Sequence, residues 1–179
     1  MPHTETDLYE KLVSSTRLFE GKVINLRRDE VMLPSGRTGT REVVEHPGAV
    51  AVVPITREGQ VILVRQFRHP IGQVLLEVPA GKLDPNEKPE ACALRELAEE
   101  TGFVANKLRK LASIYTTPGF SNEIIHLYLA EDLVESDKQP DEDEFIKTEL
   151  YTSEQIHQMI ASGELCDAKS LVALCLAGI

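Results

Sequence analysis

Residues 81–103 read "GKLDPNEKPEACALRELAEETGF". Asp84–Pro85–Asn86 is a turn signal, Pro89 suits a first helical turn, and Gly102 suits the position just past a helix end. The segment therefore reads as a strand end, a turn and a helix from Pro89 to Thr101. On that helix Glu96 and Glu100 stand one turn apart on the same face, with Glu99 beside them. Like charges at this spacing destabilise a helix by about 0.2–0.5 kcal/mol per pair, and no lysine stands one turn away to relieve them. Ala91, Leu94, Leu97, Ala98 and Thr101 form an apolar stripe, which places the carboxylates on the opposite side. A solvated acidic face would explain the charges alone. It leaves unexplained Gly81 at the strand end, Glu87 after the turn, and Arg95 next to Glu96.

Those residues at that spacing resemble the signature of the Nudix hydrolases, G-x5-E-x7-R-E-U-x-E-E-x-G-U, where U is apolar. Gly81, Glu87, Arg95, Glu96, Glu99, Glu100 and Gly102 fill every fixed position, with Leu97 and Phe103 at the apolar sites. So many specified residues at fixed spacing are far more specific than a lone glycine-rich fingerprint. The resemblance implies a Nudix-type α/β/α sandwich of the α/β class, with Mg²⁺ (Mn²⁺ a possible substitute) as cofactor. It implies Glu96 and Glu100 as the principal metal ligands, the Ala80 carbonyl as a further ligand, and Glu99 close by as a catalytic candidate. Arg95 and Glu87 would form an ion pair that orients the ligands, and Gly81 and Gly102 would be structural. Mg²⁺ takes oxygen ligands and keeps several waters and phosphate oxygens. It would remove the repulsion built into the helix, bridge the phosphates of a diphosphate and lower the pKa of a water nucleophile.

The rest of the chain frames this expectation. Its 179 residues, 42% hydrophobic and 27% charged, suit one soluble domain with a small appendage. A net charge of −10 repels polyanions, so neither nucleic acid nor an anionic membrane is an expected partner. Cys92, Cys166 and Cys175 form no CxxC pair and suit a reducing compartment. No leader pattern and no apolar run of bilayer length is present, so a cytoplasmic protein is expected.

Residues 21–46 read as two strands joined at "LPSGR", and residues 1–45 as a small N-terminal antiparallel sheet ahead of a hydrolase domain over 46–179. "GAVAVVPIT", "QVILVRQF" and "QVLLEVPAG" read as strands. "LRKLASIYTT" and "NEIIHLYLAEDL" follow around the turn "TPGFSN", and "DEDEFIKTELY" is a strand with an acidic lead-in. Two helices close the chain, with Thr152 and Asp167 as N-caps. Many strands, few helices and no βαβ alternation point to a mixed sandwich and not to a doubly wound sheet.

"YTTPGFSNE", "REVVEHPGAVAVVPI" and "VRQFRHPIG" are similar to the ADP-ribose pyrophosphatase subgroup in its bacterial form. The similarity implies hydrolysis of ADP-ribose to AMP and ribose 5-phosphate. Substrate contacts would come from Arg68 at a strand end, Arg41 from the N-terminal sheet, Glu123 at ribose hydroxyls, and Pro118 in its turn. Guanidinium suits bidentate phosphate recognition, whereas Arg65 reads as a solvated strand position and Cys92 as small-residue packing. Glu144, and after it Glu142, in the acidic run "PDEDEF" are the expected bases, with Glu99 the next candidate. The subgroup also implies a homodimer in which residues 1–45 swap over the partner's site. Two alternatives stand beside this reading. One is a Nudix hydrolase for another nucleoside diphosphate sugar such as GDP-mannose. The other is a non-catalytic ADP-ribose sensor, which the intact acidic motif disfavours.

Overall fold

The structure, a computed structural model, describes residues 8–136 and 145–179. The chain divides into two compact units.

The first unit comprises the residues up to Pro47 together with Tyr115–Glu123. Strands β1 (Lys11–Glu20), β2 (Asn25–Met32) and β3 (Thr38–Glu45) pair antiparallel in that order. The expected "LPSGR" turn joins β2 to β3: Leu33 N–H donates to the Arg37 carbonyl at 2.8 Å, and Gly36 N–H to the Leu33 carbonyl at 2.9 Å. Beyond the two expected strands, β1 forms a third, and all ten of its residues are exposed. Asp29 is buried between Arg27, at 3.0 Å, and the Ser15 hydroxyl, at 2.6 Å. Ser15 and Arg27 hold its carboxyl below the usual range. Tyr115–Glu123, within the residues 46–179 expected as the hydrolase domain, groups with the first compact unit. This turn packs on β3, where Val44 N–H donates to the Phe120 carbonyl at 2.8 Å and His46 N–H to Asn122 Oδ1 at 2.8 Å.

The second unit holds β4 (Ala49–Pro54), β5 (Val61–Arg68), β6 (Gln73–Glu77), β7 (Ala80–Lys82), most of β8 (Phe103–Tyr115), β9 (Ile124–Glu135) and β10 (Lys147–Tyr151). Three helices accompany them: α1 (Pro89–Thr101), α2 (Ser153–Ser162) and α3 (Ala168–Ala177). One sheet runs β7-β4-β9-β8, with β4 and β9 parallel, and the other runs β10-β5-β6. Every residue of β4 is buried, as a strand covered on both faces requires. Val50 and Val52 face Cys92, Ala93 and Leu97 of α1 together with Tyr128 and Ala130 of β9. Ala51 and Val53 face the larger core with Leu63, Leu127, Ile156, Met159, Ala173 and Leu174. The period-2 alternation of one strand thus builds both cores of an α/β/α sandwich. Both expected caps are present: Thr152 completes a capping box with Gln155, and Asp167 accepts from Ser170 N–H. No described helix is long and apolar enough to cross a membrane.

Candidate active site

The geometry of α1 follows from its approach to β7. Ala80 and Gly81 pair with Ala51 and Val50 of β4, and α1 packs across these strands. A side chain at Gly81 would place its first carbon 1.8–2.2 Å from the Glu96 carboxylate, so only glycine admits that carboxylate here. Gly102 ends the helix in the left-handed region, at φ 73°, with its N–H on the Ala98 carbonyl at 3.0 Å. The buried stripe is rotated from the expected one: Ala91 is exposed and Leu94 is 37% exposed, whereas Cys92, Ala93, Leu97 and Ala98 are buried. Glu96 and Glu100 lie on this buried side, 9% and 5% exposed, and not on a solvated acidic face. The close contact permitted by Gly81 is the reason.

Arg95 gathers the carboxylates. It donates to Glu87 Oε1 at 3.0 Å and Oε2 at 2.9 Å, to Glu96 Oε1 at 2.8 Å, and to Glu99 Oε2 at 2.9 Å. The repulsion written into the helix is therefore already reduced by one guanidinium. The Arg95 hydrogen bond, opposed by burial and helped by the Asp84 N–H, lowers the Glu87 carboxyl to about 2. Glu100 is tied to the strand, because its Oε2 accepts from Ala80 N–H at 2.9 Å. Cys92 is buried, as expected, with its thiol on the Lys82 carbonyl at 3.3 Å, and burial pushes it up to about 12.

Among the described residues, no three His, Cys, Asp or Glu side chains are gathered as a cage that could hold a metal ion. Such a cage is not what Mg²⁺ needs. Two carboxylates one turn apart, held against the Ala80–Gly81 backbone at an approach that only glycine permits, form a hard oxygen donor set. Water and phosphate oxygens complete such a set for Mg²⁺. The residues fit the ion.

The remaining candidates distribute as follows. Arg68 lies in the same unit and donates to both oxygens of Glu77 at 2.7 Å each. Arg65 is not a solvated position: it is half-buried and donates to Glu149 at 2.9 Å, Tyr151 at 3.1 Å and Glu164 at 2.8 Å. Its partners come from β10 and from the α2–α3 connection, which strand reading of β5 alone does not reveal. Arg41, Pro118 and Glu123 belong to the first unit. There Arg41 donates to Glu10, Thr116 donates to Glu123 at 2.6 Å, and the His46 ring nitrogen lies 3.5 Å from Glu123. Pro118 sits in the turn between β8 and β9. Glu142 and Glu144 lie outside the described residues. Sequence reasoning missed Glu77 and Lys169, which are 92 positions apart and joined by an ion pair. The one local signal was a glutamate closing the apolar run "VLL" of residues 74–76.

Comparison with known proteins places the chain in a family. Residues 45–172 match the NUDIX domain, and residues 10–44 match the nucleoside diphosphate sugar hydrolase N-terminal domain. The ADP-ribose pyrophosphatase of Bacillus subtilis (strain 168) is 47% identical over 93% of this chain and 91% of its own length. The methanol dehydrogenase activator of Bacillus methanolicus is 42% identical over 92% of this chain and 90% of its own. Among solved structures, a crystal structure of an ADP compounds hydrolase superposes with a TM-score of 0.84 at 23% identity. It covers 95% of this chain and 93% of that one, a likeness of fold.

Proposed function

This chain belongs to the Nudix family of pyrophosphohydrolases, and we propose that it hydrolyses the diphosphate bond of ADP-ribose with Mg²⁺, giving AMP and ribose 5-phosphate. The observation that carries the reading is the set of α1 carboxylates gathered by Arg95 against Ala80 and Gly81. The high identity to an ADP-ribose pyrophosphatase along nearly the whole chain supports the substrate.

Glu96 and Glu100, with the Ala80 carbonyl, would hold the ion. When bound, Mg²⁺ supplies charge stabilisation to the diphosphate and an activated water. Arg95, held by Glu87, keeps the Glu96 and Glu99 carboxylates aimed, and the depressed Glu87 value keeps the Arg95–Glu87 pair charged at every pH near neutrality. Arg68, Arg41 and Glu123 bind substrate, with Pro118 shaping its turn. Glu144 takes the proton of the attacking water, since carboxylates committed to a cation are poor proton acceptors. Glu142 and Glu99 follow it as candidates.

Residues 1–45 mediate a homodimer by exchange of the N-terminal sheet, and the protein works in the cytoplasm on a small molecule, without nucleic acid or membrane. The experiment is turnover on a panel of ADP-ribose, GDP-mannose and other nucleoside diphosphate sugars, with Mg²⁺ and with chelator. ADP-ribose is expected to give the highest kcat/KM. A clear preference for GDP-mannose would reassign the substrate, and binding of ADP-ribose without turnover would favour a sensor.

A further inference from the structure

A second charged cluster surrounds the end of β6. Glu77 is 1% exposed, and its carboxylate is held from two sides. Arg68, at the end of β5, donates from Nε to Oε1 and from Nη2 to Oε2, both at 2.7 Å. Lys169, in the first turn of α3, donates to Oε2 and also to Asp167 Oδ2 at 2.9 Å. Burial alone would push the Glu77 carboxyl up; Arg68 and Lys169 outweigh it and hold the carboxyl below its ordinary value. Next to Lys169, the Ser170 hydroxyl donates to Asp167 at 2.6 Å and accepts from Val78 N–H at 2.9 Å. The bonds continue along the chain. The Pro79 carbonyl accepts from Val52 N–H at 2.9 Å, and Ala80 N–H donates to Glu100. Each residue from Glu77 to Ala80 is thus fastened, in turn to β5 and α3, to α3, to β4 and to α1.

Side-on pairing uses only one edge of a guanidinium. Because the group is planar, Nη1 and the remaining Nη2 hydrogen face away from Glu77. The Arg68 side chain, although paired with Glu77, remains 39% exposed. Arg68 is shifted upward, first by the Glu77 hydrogen bond, with a smaller contribution from the Glu100 carboxylate. Stability is a weak reason for such a cluster, since a buried ion pair is commonly no more stabilising than apolar residues of the same volume.

We propose that Glu77 is a positioning residue for the diphosphate: it fixes the plane of Arg68 so that the outward edge of the guanidinium meets a substrate phosphate beside Glu100. Lys169 and Ser170 tie the strand end to α3, a structural task separate from the orientation of Arg68. The inference rests on the diphosphate-hydrolase reading.

The test is a double-mutant cycle on Arg68→Ala and Glu77→Gln in the full chain. It is read as KM for ADP-ribose with Mg²⁺ and as Kd for ADP by calorimetry with chelator present. Each single change is expected to raise both constants by about tenfold or more, the loss expected for charge-assisted phosphate bonds. The double variant is expected to be no weaker than Arg68→Ala alone. Ser170→Ala, which removes the Val78 and Asp167 bonds, is expected to lower Tm while leaving KM and Kd within about threefold. Additive penalties, or a Ser170→Ala effect on KM as large as that of Glu77→Gln, would overturn the proposal. If Glu77→Gln does not fold, Glu77→Asp replaces it, with the carboxylate drawn back by one carbon and the same non-additivity expected. Wild-type protein that binds ADP but does not turn over ADP-ribose defeats the functional reading alone, since the Kd cycle still reports on Glu77. Wild-type protein that does not bind ADP defeats both.

Discussion

At Gly81 the strand and the ligand helix come so close that one added methyl group decides the fate of a carboxylate. Gly81→Ala would put that methyl 1.9 Å from Glu96 Oε1, so Glu96 must turn away or α1 must shift. The expected outcome is a folded protein whose Mn²⁺ affinity, measured by electron paramagnetic resonance, falls at least about tenfold; unchanged affinity would remove Glu96 from the ligand set. Charge at single residues also sets the acid limit of stability. Glu87, through Arg95, and Glu149, first through Tyr151 and then Arg65, are each lowered from 4.5 to about 2. A folded value below the unfolded one means their contribution is complete above about pH 4.5 and is lost as pH falls toward 2. The urea midpoint is therefore expected to drop across that window. The drop should be shallower in a Glu87→Gln, Glu149→Gln double variant, and an identical slope would assign acid unfolding to other groups.

At the scale of elements, α1 is the piece on which both core and site depend. Leu97 is fully buried against Val50, Val52 and Tyr128, and Leu97→Ala is expected to destabilise the protein by about 2–5 kcal/mol in urea titration. A loss near zero would mean that α1 is not seated on β4. The same burial predicts thiol counts: Cys166 and Cys175 are exposed and Cys92 is not, so a disulfide reagent should titrate two thiols in the native protein and three in urea. Much of this was legible in the sequence because it is local. Pro89 and Gly102 bound α1, Thr152 and Asp167 cap α2 and α3, and the motif spacing singled out Glu96 and Glu100. What could not be read depends on distant partners. Strand β1, "KLVSSTRLFE", buries nothing and so carries no alternation; its pairing with β2 is made by backbone groups that every residue has. The rotated stripe of α1 depends on how near a glycine lets the helix come, which periodicity does not encode. Arg65 finds Glu149 and Glu164, and Glu77 finds Lys169, across 84 to 99 positions, beyond any local window.

For the whole molecule, a net charge of −10 means that any anionic substrate is bound against the overall field, by local cations and a divalent ion. Along β1 of the N-terminal sheet, Leu12, Val13, Leu18 and Phe19 are exposed; in the proposed homodimer a second copy of the chain would cover some of them. Light scattering at micromolar concentration is expected to give a dimer mass, and a chain lacking residues 1–45 a monomer mass; a monomeric full-length protein would rule out sheet exchange. Whether the α1 carboxylates make this protein a metal-dependent diphosphate hydrolase is decided by one rate measurement. It follows AMP release from ADP-ribose with Mg²⁺ for the wild type, Glu96→Gln and Glu100→Gln. Expected is turnover that chelator abolishes and that either substitution lowers by at least about 10²-fold in kcat, the scale at which lost transition-state charge stabilisation is felt. Undiminished turnover in either variant, or in the wild type without metal, would contradict that role of the carboxylates.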